Sequence, residues 1–221
     1  MKLPPKLKFK LNMELDKWTC SSEVFHNSVV RDHPTLAERG NYDDYVSGYY
    51  KLHQKELSNA VERMRADWLT IEESYFKAVD RLFNHPWPEG KYMCYLSIFN
   101  CNPRFIETKE FQAFYKHSAT TNYVCAHELL HFMFYDYLEK KFSQKYKVPG
   151  EKATWKLSEI FNDVVLRLPE FVAITGQKDP AFYAETKEKL GGAIKFWKEA
   201  KSVKAFVTKY LRSVYAKGQR N

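Results

Sequence analysis

The chain has 221 residues, 44% of them hydrophobic and 16% aromatic, enough to bury one sizeable core and too apolar for a disordered chain. No apolar run approaches the roughly 18 residues of a membrane-crossing helix. The basic N-terminus MKLPPKLKFKLNMELDKW also lacks the continuous apolar stretch and cleavage site of a secretory signal, so a cytoplasmic protein without a membrane span is expected. The net charge of +8 gathers at the end, where residues 181–221 hold ten Lys/Arg against three Asp/Glu.

In KFKLNMEL, residues 8–15, Phe9, Leu11, Met13 and Leu15 alternate with Lys8, Lys10, Asn12 and Glu14, the period of a half-buried strand. Over 42–83, Val61, Met64, Trp68, Ile71, Tyr75, Ala78 and Leu82 recur at steps of three and four, which predicts one long amphipathic helix. HPWPEG, residues 85–90, ends it. KYMCYLSIF, residues 91–99, reads as a buried or edge strand, and NCNPRF turns the chain. Residues 120–138 are helical and apolar nearly all round, the mark of a central helix. A polar loop follows, then a helix over 154–168 that stops before Pro169. Helices over 181–199 and 201–216 complete the chain, with Gly191-Gly192 weakening the first. The expected fold class is α+β: one mostly helical domain, 1–221, with a small mixed or antiparallel sheet before the central helix. Within it a strand-and-helix lobe spans about 1–138 and a helical lobe about 150–221.

Cys20, Cys94, Cys101 and Cys125 show no C-x-x-C spacing and read as reduced core thiols. The chemistry lies elsewhere, in the central helix: YVCAHELLH, residues 123–131. His127 and His131, at i and i+4, share one helix face one turn apart, which lets two imidazoles bind one tetrahedral zinc ion. Glu128 is turned about 100° from His127. It is poorly placed as a ligand but well placed to act as general base on a water in the open position. Leaving two histidines and a glutamate unpaired in an oily helix would cost roughly 1–3 kcal/mol or more each. One Zn2+ ion is a partner common to all three.

Such an ion needs a third protein ligand, and no histidine follows His131. The choice falls on a downstream carboxylate or an upstream histidine, of which His117 is nearest. Glu159 stands out among the carboxylates. Leu157, Ile160, Phe161, Val164, Val165 and Leu168 form an apolar stripe, yet Trp155 and Leu166 flank Glu159 on the opposite face, so the acid is caught in a helix buried on two sides. Asp163, one turn on, is placed to accept a hydrogen bond from the second ring nitrogen of a ligand histidine. Glu139 points away along the same helix as the histidines, and Glu151 lies in a loop.

HELLH followed by a helix bearing Glu159-x-x-x-Asp163 resembles the gluzincins, the thermolysin-like superfamily of zinc metallopeptidases. The 28-residue step from His131 to Glu159 is longer than in thermolysin, and Ser158 stands where that group has Asn. The resemblance implies a zincin-like domain that hydrolyses a peptide or protein substrate. It also implies an edge strand before the active helix, against which the substrate is laid. KYMCYLSIF holds that place, with Tyr95, Leu96 and Ser97 as substrate-binding residues. A tyrosine that stabilises the oxyanion is implied as well, and Tyr183 in DPAFYAET is the candidate. The alternative expectation is a non-catalytic or regulatory metal-binding protein whose basic C-terminal helices bind DNA or an acidic partner. No nucleic-acid-binding module accompanies those helices, so nucleic acid is not the expected partner.

Overall fold

The computed structural model describes residues 5–37, 40–117, 120–143, 151–177 and 184–218, without the side chains of 184–186 and 213–218. The elements in order are β1 (Leu7–Leu11), α1 (Met13–Ser21), α2 (His26–Asp32), a 3-10 turn (Pro34–Leu36), α3 (Tyr42–Leu52), α4 (Gln54–Leu69), α5 (Glu72–Phe83), β2 (Tyr92–Ser97), β3 (Arg104–Phe105) and β4 (Glu110–Phe114). Then come α6 (Thr121–Phe142), α7 (Glu151–Val165), α8 (Pro169–Thr175), α9 (Ala184–Ala200) and α10 (Val203–Gly218). The fold is α+β, as expected, and the sheet is mixed. Its order is β1-β2-β4-β3, with β2 parallel to both β1 and β4 and β3 antiparallel to β4.

Several boundaries differ from the sequence reading for local reasons. The first strand stops at Leu11 because Asn12 caps a helix: its side-chain oxygen accepts from the Leu15 amide at 3.1 Å, and Glu14 and Asp16 sit in the first turn. Met13 and Leu15 therefore lie on α1, and the alternation through them is accidental. The long helix over 42–83 is three helices. His53, at φ −106° and ψ 18°, separates α3 from α4, and α4 ends at Thr70, whose hydroxyl donates to the Asp67 carbonyl at 2.6 Å. A three-four period survives such short interruptions, so periodicity alone does not report them. The helix expected over 154–168 ends at Val165. Pro169 then opens α8 at its first turn, and Gly176, at φ +74°, closes it. β3 falls within the NCNPRF turn, and β4 in a stretch for which the sequence reading names no element.

The chain packs as two compact units that interleave in sequence, one of residues 3–72 and 89–128, the other mainly of 73–88 and 129–221. The first holds the sheet. Phe9, Cys94, Leu96, Phe111 and Ala113 face its core, with Leu57, Met64 and Trp68 from α4 buried in the same unit. Asp16 ties α1 to the sheet. Its carboxylate accepts from the Ser97 hydroxyl at 2.5 Å, the Tyr50 hydroxyl at 2.7 Å, the Gln112 amide at 2.8 Å and the Ile98 amide at 3.2 Å. The Thr19 hydroxyl donates to the Gln112 carbonyl oxygen and fixes that amide's orientation. Asp16 is fully buried, and burial pushes its carboxyl from 3.8 up to about 6 against the pull of those four hydrogen bonds.

The second unit is built on aromatic side chains around α7. The Phe161 ring meets Phe134 of α6 at 4.9 Å, Phe83 of α5 at 5.5 Å, Phe206 of α10 at 5.6 Å and Trp197 of α9 at 6.0 Å between centroids. On α10, Val203, Phe206, Val207 and Leu211 are buried while Lys204, Lys209 and Arg212 are exposed. Among the described residues no helix is long and apolar enough to cross a membrane.

Candidate metal centre

The helix α6 is unbroken from Thr121 to Phe142, so His127, Glu128 and His131 are fixed relative to one another by helix geometry alone. It is buried on every side over Tyr123–Phe134, the face that carries the two histidines and Glu128 included. His127 is 3% exposed, Glu128 5% and His131 0%. The Tyr123 and Tyr135 rings lie near the His127 and His131 imidazoles, at 6.3 and 6.4 Å between centroids.

Glu159 of α7 is 1% exposed, in a helix whose residues Leu157 to Val165 are all buried. Its Oε1 lies 3.4 Å from His131 Nε2. One donor atom from each of His127, His131 and Glu159 falls within 4.8 Å of the others, and among the described residues this is the only group of three or more His, Cys, Asp or Glu donors so arranged. Metal–ligand bonds of about 2.0–2.2 Å in a tetrahedron put neighbouring donor atoms about 3.4 Å apart. The His131–Glu159 separation equals that edge and is longer than an ordinary hydrogen bond. Two imidazoles and one carboxylate also form the donor set of three-ligand zinc sites that keep a position open. The residues present thus fit a divalent ion of the zinc type.

Asp163 is 3% exposed. Arg167 donates to its carboxylate at 3.2 Å and to its main-chain carbonyl at 2.8 Å. Ser158 donates its hydroxyl to the Trp155 carbonyl at 2.8 Å. His117, the alternative third ligand, lies outside the donor group and lines a cavity of about 450 Å³ with Arg63, Asp67 and Thr121. Tyr183 lies outside the described residues.

The strand β2 overturns one expectation. It is central in the sheet, paired with β1 on one side and β4 on the other, so Tyr95, Leu96 and Ser97 cannot receive a substrate by strand addition. Their side chains are engaged as well: the Tyr95 hydroxyl donates to Glu110 at 3.1 Å, Leu96 is in the core and Ser97 belongs to the Asp16 network. A short apolar run bounded by turns fits a central strand as well as an edge one, and the chain's later strand β4 was not anticipated.

Two neighbours of Glu128 were not anticipated either. Arg104, the first residue of β3, places Nη1 3.5 Å from Glu128 Oε2, with the two side chains only 12% and 6% exposed. In the sequence its one signal is a lone cation in the NCNPRF turn. Cys94 of β2 and Cys125 of α6 meet beside Glu128. Burial, then the Cys125 contact and the Glu128 charge, push the Cys94 thiol well above its ordinary value, so Cys94 is a neutral thiol and not a thiolate ligand at neutral pH. All four cysteines are free, three of them buried.

Set against known proteins, the chain matches no family model, no curated protein and no solved structure.

Proposed function

We propose that the chain is a metal-dependent peptidase of the gluzincin type, with His127, His131 and Glu159 as the metal ligands and Glu128 as general base. The observation that carries this reading is the His131–Glu159 separation of 3.4 Å between buried side chains, with buried His127 one turn away. When bound, a zinc ion supplies Lewis acidity toward a carbonyl oxygen and makes water a stronger acid. The chain's own residues do the rest. Glu128 takes the proton from the attacking water as the new C–O bond forms, then passes it to the amine nitrogen as the C–N bond breaks. The apolar walls of α6 keep other water out, which strengthens each of these electrostatic contacts.

The test pairs metal content with hydrolysis. Glu128→Gln should bind zinc as the parent does and lose hydrolysis of a denatured protein substrate, whereas full activity in that variant would refute the assigned base. A second reading has its own observation. Lys204, Lys209 and Arg212 line an exposed groove of about 640 Å³ on α10, with Lys209 Nζ set 3.8 Å from the Phe196 ring centre. Under that reading the groove docks an acidic protein partner or DNA, and binding falls steeply with added salt while the site does no chemistry.

A further inference from the structure

We propose that the cavity of about 450 Å³ between α4, β4 and α6 binds a small zwitterion, a free amino acid or a dipeptide with apolar side chains. Its walls come from one compact unit, the first: Arg63, Met64 and Asp67 of α4, Ala113 of β4 with Tyr115 just past it, and Val124 of α6. Its volume falls in the range of small-molecule sites, about 300–1,000 Å³. Tyr115 is held on two sides. Its amide donates to the Ser97 carbonyl at 3.0 Å, and its hydroxyl lies 2.8 Å from that of Tyr49. The site is independent of the peptidase reading, since none of His127, His131 and Glu159 lines it.

The charges on the α4 wall select the ligand. Arg63 and Asp67 stand at i and i+4, a spacing at which opposite charges can meet. Among the described residues, neither side chain forms an ion pair or a hydrogen bond. The other charges nearby are occupied. The Lys116 ammonium pairs with Glu56 at 2.9 Å and lies 4.7 Å from the Tyr115 ring centre, and His117 has interactions of its own. The cavity thus offers a ligand one cation and one anion, side by side. Arg63 and Asp67 are exposed at its rim, while Met64, Ala113 and Val124 are buried and give it an apolar floor. A ligand of single charge is repelled by one of the two rim groups. A zwitterion is attracted by both, and an amino acid or short peptide carries an ammonium and a carboxylate at neutral pH. Arg63 donates a fork of N–H groups to the carboxylate, and Asp67 accepts from the ammonium. The ligand's apolar side chain covers the floor.

The experiment uses the full chain with isotopically labelled methionine methyls, so that NMR reads binding at Met64, whose signal is assigned by its loss in Met64→Leu. Leucine and leucyl-leucine are titrated, each also in N-acetylated and C-amidated form. At least one zwitterion should shift the Met64 methyl with a Kd of about 1 mM or below. The tighter of the two tells a free amino acid from a dipeptide. Each capped form should bind about fivefold or more weakly, the worth of one exposed charge contact. The variants separate the two contacts. Arg63→Gln should bind the amide and the zwitterion alike, and Asp67→Asn should no longer distinguish the zwitterion from the acetylated form. Both side chains are exposed, so both variants should keep the parent's circular dichroism. A Met64 methyl unmoved by either zwitterion at about 10 mM, tenfold above the weakest expected Kd, overturns the proposal. So does binding that both variants leave unchanged, or capped forms that bind the parent as tightly as the zwitterions do.

Discussion

The sharpest test of the energetics concerns Asp16, where two opposing effects can be ranked. Four donors converge on a carboxylate with no exposure to solvent, which favours the charged form; burial favours the neutral one and wins, taking the group from 3.8 to about 6. A folded-state value above the unfolded one means the native protein holds this proton more tightly. The resulting stability is fully present below 3.8 and is lost as pH rises through about 6. At about 1.4 kcal/mol per decade of proton affinity, the whole effect is about 3 kcal/mol, and about 2 kcal/mol of it falls between about pH 4.5 and about pH 7.5. Asp16→Asn has the shape of the protonated acid and no charge. Urea unfolding of parent and variant across that window should show the variant gaining about 2 kcal/mol relative to the parent as pH rises. Taking the difference cancels the other titrating groups. If the variant instead loses ground as pH rises, the hydrogen bonds outweigh desolvation and the ranking is wrong.

Glu159→Ala should weaken zinc binding by at least about 100-fold, the upper end of what loss of an outer hydrogen-bond partner costs a metal site, as read by competition with a chromophoric chelator. Stripping the metal should lower stability, by about 2.7 kcal/mol relative to free zinc held at 100 times Kd, visible as a fall in Tm that added zinc reverses. Phe161→Ala removes a ring that is fully buried and shared by four helices and should cost about 3–5 kcal/mol in chemical denaturation. Ser97→Ala should destabilise the fold by about 1–3 kcal/mol through the Asp16 network and leave KM for a peptide unchanged, since β2 is closed on both sides.

The ligand candidates were legible in the sequence because helical spacing is local and periodic. HELLH places its histidines with no tertiary information, and Glu159 is exposed as an anomaly by the apolar residues on both of its flanks. Sheet order was not legible. Nothing in KYMCYLSIF distinguishes a strand with two partners from a strand with one, and the partner β4, EFQAF, is too short to show a period. Arg104 and Asp16 escaped for a related reason. In NCNPRF and MELDKW each looks like an ordinary surface charge, and only the folding of distant segments, residues 97, 98 and 112 onto Asp16 and residue 128 onto Arg104, removes them from water. Helix breaks at His53 and Thr70 were hidden because the apolar stripe continues across them.

The outermost strand β1 has one more consequence. A lateral strand with open amides is a template on which other chains can stack. Here the Leu7 amide is taken by the Glu72 carboxylate at 3.1 Å, and the exposed positions of the strand are Lys8 and Lys10. A second chain stacking there would bring its own lysines alongside these, so like-charge repulsion guards against self-association during synthesis and refolding, and replacing both with threonine would turn this margin into a nucleus for aggregates.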